Sequence, residues 1–275
     1  MMSEVLVVIG AGGIGAAIAR RLGPGRTVVI ADFDQAALDR VGGELAGEGY
    51  EVRPHVVDVS RRESVAELAA AAADSGPITA VAHTAGLSPV QAQVPAILGV
   101  DLAGVAYFLD EFELVIAAGG AAVVIASMAG SLVAGHLPAE METALASTPS
   151  DELLALPFLG GITEPAEAYA IAKRANQLRV RVACRSWGAR GARVNSISPG
   201  VISTAMGRAE LDGESGAVMR EMIGSSGTGR IGTPADIAGA AAFLLGPEAS
   251  YITGIDLLVD GGVVAATAGA AARRR

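Results

Sequence analysis

The sequence predicts an α/β fold, a doubly wound parallel sheet of seven strands with helices on both faces, in one domain that carries a small helical insertion. Three observations predict it. Short β-branched apolar runs alternate with Ala-rich helical stretches, the pattern of strands buried on both faces and joined by crossover helices. The first apolar run leads straight into a glycine-rich turn that opens a helix. At 275 residues and 51% hydrophobic, the chain has a length that such sheets reach as a single unit, with enough apolar surface for a large core.

Residues 4–9 (EVLVVI) form the first strand, and Gly10-Ala11-Gly12-Gly13-Ile14-Gly15 follows at once. This is G-x-G-x-x-G between a strand and the helical AAIARRL. Glycines there permit a tight turn and let the backbone approach a pyrophosphate, which sits at the helix N-terminus. The second strand, 27–31, ends in Asp32, whose carboxylate can accept both ribose hydroxyls of an adenosine and repels a 2′-phosphate. No arginine or lysine stands in the glycine loop or directly after Asp32, so NAD is expected rather than NADP. Alternatively Asp32 caps the helix over 35–48, a job open equally to Asp34.

A third strand over 51–57 leads to Asp58-Val59, a helix spans 61–75, and a fourth strand over 78–82 ends in His83-Thr84-Ala85-Gly86. The fifth strand, 121–126, runs into Ser127-Met128-Ala129-Gly130, and the sixth, 192–197, precedes Pro199-Gly200, Ile202 and Thr204. Segment 203–229, with Met206, Met219 and Met222, reads as a flexible helical flap over substrate. Its methionines either adapt to apolar ligands or simply pack the core. Thr233-Pro234 opens a helix to 245 with proline at its first position. The tail beyond Gly262 is expected to be loosely ordered.

One pair of side chains stands out. Of 20 basic residues only Lys173 is a lysine, the rest being arginine. Lysine is a compact, tunable cation, unlike the permanently charged arginine fork. Tyr169 lies four residues earlier, so on a helix the phenol and the ammonium share a face. A neighbouring cation favours the phenolate, which makes tyrosine a usable acid and base. Taken alone, Tyr-x-x-x-Lys is also a pattern that surface helices produce by chance.

Composition excludes other classes. A net charge of −9 argues against nucleic acid or anionic membrane as a partner. No apolar run is long enough to span a bilayer, and no basic stretch precedes a hydrophobic core at the N-terminus, so no signal peptide is expected. The single Cys184 excludes an internal disulfide framework, fits a reducing cytoplasm, and reads as a small core residue. His55, His83 and His136 show no metal-ligand spacing, and no metal is expected. Arg273-Arg274-Arg275 reads as a frayed, solvated tail.

Together these motifs resemble the classical short-chain dehydrogenase/reductase family, from the first strand to near the C-terminus. The resemblance implies a single Rossmann-type domain, residues 1–275, holding both cofactor and substrate. It implies cofactor contacts from Gly10, Gly12, Gly13, Ile14 and Gly15, from Asp32, and from Asp58-Val59 at the adenine. It adds Thr84, Ala85 and Gly86, then Tyr169 and Lys173 at the nicotinamide ribose, and Pro199, Gly200, Ile202 and Thr204 over the carboxamide. As catalytic residues it implies Ser127 orienting the substrate carbonyl, Tyr169 as acid/base and Lys173 as its partner.

Three departures from the family pattern follow. Thr84 stands where the family has its second asparagine. Asp101 occupies the place of an asparagine that completes a proton relay to the lysine; an ionised carboxylate lacks a donor and adds negative charge near Lys173, so a structural role is expected of it. The stretch between Ser127 and Tyr169 is much longer than usual. Its extra segment, 131–165, reads as two short helices around 138–145 and 150–156. With the short loop between Gly86 and Asp101, it resembles the bacterial 3α-hydroxysteroid dehydrogenase/carbonyl reductase branch. Leu132, Val133, Leu137, Met141 and Phe158 either roof an apolar pocket or pack the insertion onto its own domain or a neighbouring subunit.

The expected activity is NAD-dependent interconversion of a secondary alcohol and a ketone on an apolar, alicyclic or steroid-like substrate, by a homodimer or homotetramer. The alternatives are ketone reduction on an acyl chain and a non-catalytic protein that senses NAD.

Overall fold

An unbroken apolar run, VLVVI, makes β1 (Val5–Ile9), and each of its residues is buried. Val5, Val7 and Ile9 enter one core while Leu6 and Val8 enter another on the opposite face, the two-residue alternation of a strand covered on both sides. The computed structural model describes residues 3–273. Around β1 stand β2 (Thr27–Asp32), β3 (Glu51–Val56), β4 (Ile78–His83), β5 (Ile116–Ile125), β6 (Arg193–Pro199) and β7 (Asp256–Val259). They form one seven-stranded sheet in the order β3-β2-β1-β4-β5-β6-β7, every pairing parallel. The strand order reverses between β1 and β4, and a crevice opens at the carboxyl ends of those strands.

Helices α1 (Gly13–Leu22), α2 (Gln35–Gly47) and α11 (Pro234–Leu245) cover one face; α3 (Arg62–Ser75), α5 (Gly104–Val115) and α8 (Pro165–Ala189) cover the other. Between β4 and α5 lie α4 (Val94–Ile97) and one wide π-type turn, Leu98–Ala103. After β5 come α6 (Met128–Leu132) and α7 (Ala139–Ser147), and after β6 come α9 (Ala205–Asp212) and α10 (Gly216–Ser225). Among the described residues no helix is long and apolar enough to cross a membrane, and no group of His, Cys, Asp or Glu side chains could hold a metal ion.

Five expectations need correction. The second piece of the insertion is 3₁₀ helix, Ser150–Ala155, followed by another at Pro157–Gly161. Ser150 does not cap it; its hydroxyl accepts from buried Arg179 at 3.0 Å. The tail beyond Gly262 is a helix, α12 (Val263–Arg273), because Asp260 accepts from Gly262 N and Val264 N at 2.8 and 2.7 Å and so organises its first turn. Arg273 ends that helix, so the arginine run is not wholly a tail; Arg274 and Arg275 lie outside the described residues. Cys184 sits on α8, only partly buried, its thiol donating to Arg181 O. Finally β5 starts at Ile116, ahead of the expected position, with Gly119 at φ +84° turning the chain before the register with β4 resumes at Ala121.

Candidate active site

The crevice is a cavity of about 1050 Å³. On one side lies the glycine turn. Gly10 takes φ +106°, and a Cβ there would meet Ala85 N and Thr84 Oγ1 at 2.6 Å, so only glycine fits. Gly15 has no room for a Cβ either, since it would overlap Gly10 O. Thr84 donates from Oγ1 to Ile9 O (3.0 Å) or Gly10 O (2.9 Å), tying the end of β4 to the turn; the hydroxyl holds the turn in place of an asparagine amide. A Cβ at Gly12 would meet nothing within 4 Å and would intrude on the cavity. The first turn of α1 has neither a side-chain cap nor an acidic residue, which leaves its amide N–H groups available to an anion. These features fit a dinucleotide pyrophosphate.

Asp32 accepts from Ala11 N at 2.6 Å and from Asp34 N at 3.0 Å. Asp34, not Asp32, caps α2, accepting from Ala36 N at 2.9 Å. Phe33 beside it is exposed and lines the cavity. Asp58 accepts from the Ser60 amide and hydroxyl at 3.0 and 2.6 Å, which points its carboxylate into a local turn at the cavity edge.

The opposite side is built from side chains. Ser127 lies two residues beyond β5 and caps α6, its hydroxyl accepting from Ala129 N at 3.1 Å. One turn apart on α8, the Lys173 ammonium lies 5.4 Å from the centre of the Tyr169 ring. Its Nζ also pairs with Asp101 Oδ1 at 2.7 Å and donates to Ile125 O at 3.4 Å. Lys173 is 4% exposed and Asp101 0%. The second oxygen of Asp101 accepts from Leu87 N at 3.0 Å, so this carboxylate joins α8 to the loop after β4. A Cβ on Gly86 would strike Asp101 Oδ1 at 2.6 Å.

These charges set the ionisation of the site. Burial pulls the Lys173 ammonium down, but Asp101 and then Tyr169 outweigh it and raise it above the usual lysine value. Burial pushes Asp101 up against the opposing cation. Burial also pushes the Tyr169 phenol up. Lys173 and the Ser127 hydroxyl oppose that rise, while Asp101 and Glu210 add to it. The lysine's own effect therefore has the expected sign, but the net shift of the phenol is upward, because burial outweighs the cation and Asp101 adds to the rise. His83 is wholly buried against Phe108, ring centres 5.0 Å apart, and burial followed by Lys173 lowers it to about 3, so it is a neutral core residue.

All the residues expected at the cofactor and at the reacting oxygen line this one cavity: the glycine turn with Ile14, Asp32, Asp58, Val59, Thr84 to Gly86, Asp101, Ser127, Tyr169, Lys173, Pro199, Gly200, Ile202 and Thr204. Met206, Met219 and Met222 line it too. Of the proposed roof only Leu132 does; Leu137 and Phe158 pack instead into a third core with Leu145, Leu153 and Leu159. The reason is Arg179 on α8, which donates to Leu145 O (3.3 Å) and Thr148 O (2.9 Å) and turns the insertion's apolar side onto its own helix. Sequence reasoning missed Val90, Gln91, Glu210, Ser215 and Val218 on the cavity wall. A signal existed, since Glu210 follows Met206 by one helical turn.

This fold and cavity define a Rossmann-type nucleotide-binding oxidoreductase. The chain belongs to the short-chain dehydrogenase/reductase family. A family model described as "Enoyl-(Acyl carrier protein) reductase" matches residues 9–148 and 153–264. A short-chain dehydrogenase/reductase of Alternaria brassicicola is 41% identical over 266 residues, covering 96% of this chain and 97% of the relative. The 3-alpha-hydroxysteroid dehydrogenase/carbonyl reductase of Comamonas testosteroni is 28% identical over 236 residues, 82% of this chain and 89% of that one. Among solved structures, the 3-alpha-hydroxysteroid dehydrogenase from Pseudomonas sp. B-0831, complexed with NADH, matches with a TM-score of 0.78 at 28% identity over 97% of this chain and 99% of the other.

Proposed function

We propose that the chain interconverts a secondary alcohol and a ketone on an apolar, alicyclic or steroid-like substrate, with NAD rather than NADP. The observation behind this reading is that Tyr169, Lys173 and Ser127 line the same cavity as the glycine turn. Bound in the crevice, the nicotinamide dinucleotide supplies the hydride donor or acceptor. The free amides at the start of α1 take its pyrophosphate, and Asp32 takes the adenosine ribose hydroxyls. Asp32 and Asp34, with the apolar Phe33 between them and no basic side chain beside them, disfavour a 2′-phosphate.

In this reading Ser127 hydrogen-bonds the reacting oxygen. Tyr169, held protonated at neutral pH by its raised value, donates its proton to a carbonyl oxygen in reduction and recovers one from the alcohol in oxidation. Lys173 stabilises the phenolate that forms and holds the nicotinamide ribose. Asp101 keeps Lys173 charged and fixes the loop at Leu87. The apolar side chains of Leu87, Val90, Met206 and Met219 favour a bulky hydrocarbon frame. One folding unit carries both sites, with 131–165 as a buttress on α8 and 203–229 as the flap. A homodimer or homotetramer and a cytoplasmic location complete the reading.

The test is the growth of NADH absorbance with purified protein against alicyclic, steroid and acyl-chain alcohols, NAD and NADP in parallel. Turnover with NAD on the alicyclic or steroid alcohols is the expected result. Turnover confined to acyl-chain substrates would replace this reading with acyl ketone reduction, and an NADP preference would overturn the role given to Asp32.

A further inference from the structure

The cavity's ionisable side chains fall into three places. Asp32 and Asp58 lie on the cofactor side, Asp101 and Lys173 form a buried pair beside the half-buried Tyr169, and Glu210 is the one ionisable side chain of the cavity wall on α9 and α10. Resting on the reading of this cavity as an alcohol site, we propose that Glu210 is a specificity-determining residue that accepts a hydrogen bond from a second hydroxyl of the substrate, remote from the reacting carbon.

Met206 and Glu210 lie one turn apart on α9 and so present one face to the cavity. The same cavity is lined by Leu87, Pro89 and Val90 of the loop after β4 and by Val218 and Met219 of α10. None of these offers a polar atom at its tip. Gln91 is engaged, its Oε1 accepting from Ser88 N at 3.0 Å. The carboxylate of Glu210 is half-buried, yet it forms no ion pair among the described residues. Burial pushes it up, with the Ser88 hydroxyl opposing. That hydroxyl is buried with no other hydrogen-bond partner, so it is the single protein donor facing the carboxylate. A half-buried carboxylate without a cation is unfavourable for the free protein, and a substrate donor would satisfy it.

The donor is a hydroxyl rather than an ammonium. An ionised carboxylate only accepts, and a hydroxyl donates to it with charge assistance. An ammonium would have to shed its hydration in an apolar chamber that already holds the Lys173 cation, with a single carboxylate to compensate. A site that hydrogen-bonds a substrate hydroxyl also rejects the analogue lacking it, because its own polar group is then left unpaired.

The experiment is calorimetric titration of the full-length protein, saturated with NAD, with decalone, a set of regioisomeric hydroxydecalones and an aminodecalone. Ketone and NAD are both oxidised, and the added hydroxyls are placed on the tertiary ring-fusion carbons, which carry no hydride to give, so no turnover accompanies binding. At least one hydroxydecalone is expected to bind the wild type about ten- to hundredfold more tightly than decalone. That gain should vanish in Glu210→Leu and be partly kept in Glu210→Gln, which still presents a carbonyl acceptor. A wild type that gains from no hydroxyl isomer, a gain that survives in Glu210→Leu, or a larger gain from the ammonium would each overturn the proposal. Turnover of the same ketones with NADH is read separately: its absence alongside an intact hydroxyl gain sinks the oxidoreductase reading and leaves Glu210 as the ligand's partner.

Discussion

The two sides of the crevice are made of different material. The dinucleotide side is backbone: a turn that only Gly10 can make, the amides of α1, and strand ends whose positions follow from the β1–β2 and β1–β4 registers. The side to which we assign proton transfer is made of side chains brought from distant parts of the chain, Ser127 after β5, Tyr169 and Lys173 on α8, and Asp101 before α5, meeting around a 2.7 Å ion pair buried from water. A backbone-built side tolerates a lost side chain, since its groups remain. A side built on buried charge does not, because removing one member leaves another without a partner. Substitutions on the two sides should therefore differ in kind as well as in size.

The largest effect is expected at Tyr169. Tyr169→Phe removes the transferable proton and keeps the ring, so turnover should fall by about 10²–10⁴-fold while NADH affinity, read by fluorescence titration, stays close to wild type. Wild-type turnover would show that the two sides do not divide the work in this way.

Next in size is Asp101→Ala, which strands the Lys173 ammonium in the interior and frees Leu87 N. A loss of about 3–5 kcal/mol in denaturant unfolding is expected, as for other broken buried pairs. A loss below about 1 kcal/mol, the range of surface pairs, would mean that water reaches Lys173 and that the pair is no keystone. The backbone-built side provides the contrast. Asp32→Ala should move the NADP-to-NAD preference by about tenfold, near 1.4 kcal/mol, with a smaller change in unfolding than at Asp101, because it frees the Ala11 and Asp34 amides but strands no charge, and Gly10 stays bonded to Ala31 O. A large stability loss at Asp32 would erase the distinction.

The same division explains what was legible in the sequence. The strand-turn-helix with its glycines announces its geometry locally, and so do Asp34 as a cap and Pro234 behind Thr233, where the structure shows a full capping box with Asp236. The residue types of the second side were also legible, down to the lone lysine. Its electrostatic balance was not, since the net direction of the Tyr169 shift depends on burial and on Asp101 meeting Lys173 across the fold. The insertion misled for the same reason. Its leucines fit a roof as well as a buttress, and what decides is Arg179, whose bonds to Leu145 O and Thr148 O no local pattern displays. Glu210 escaped notice because a single acid on an amphipathic helix looks like solvated surface until the cavity behind it is seen.

The smallest effect offers the finest test of the contrast, because it concerns the sign of a shift alone. Oxidation needs the Tyr169 phenol as a base, so its rate should climb as the phenol ionises. That phenol lies above the usual tyrosine value, which places the limb on the alkaline side, while reduction, which needs the protonated phenol, stays level below it. Asp101 is one of the charges holding the phenol up. Asp101→Asn removes that charge while its amide oxygen can still accept from Leu87 N, so the alkaline limb should move to lower pH. Lys173 also loses a partner that raises it, yet the phenolate itself supports the ammonium, and the pair Tyr169–Lys173 then carries the proton equilibrium alone. A limb that moves to higher pH would mean that Lys173 has given up its charge without Asp101, and that the carboxylate, not the tyrosine, is what keeps this site's cation in place.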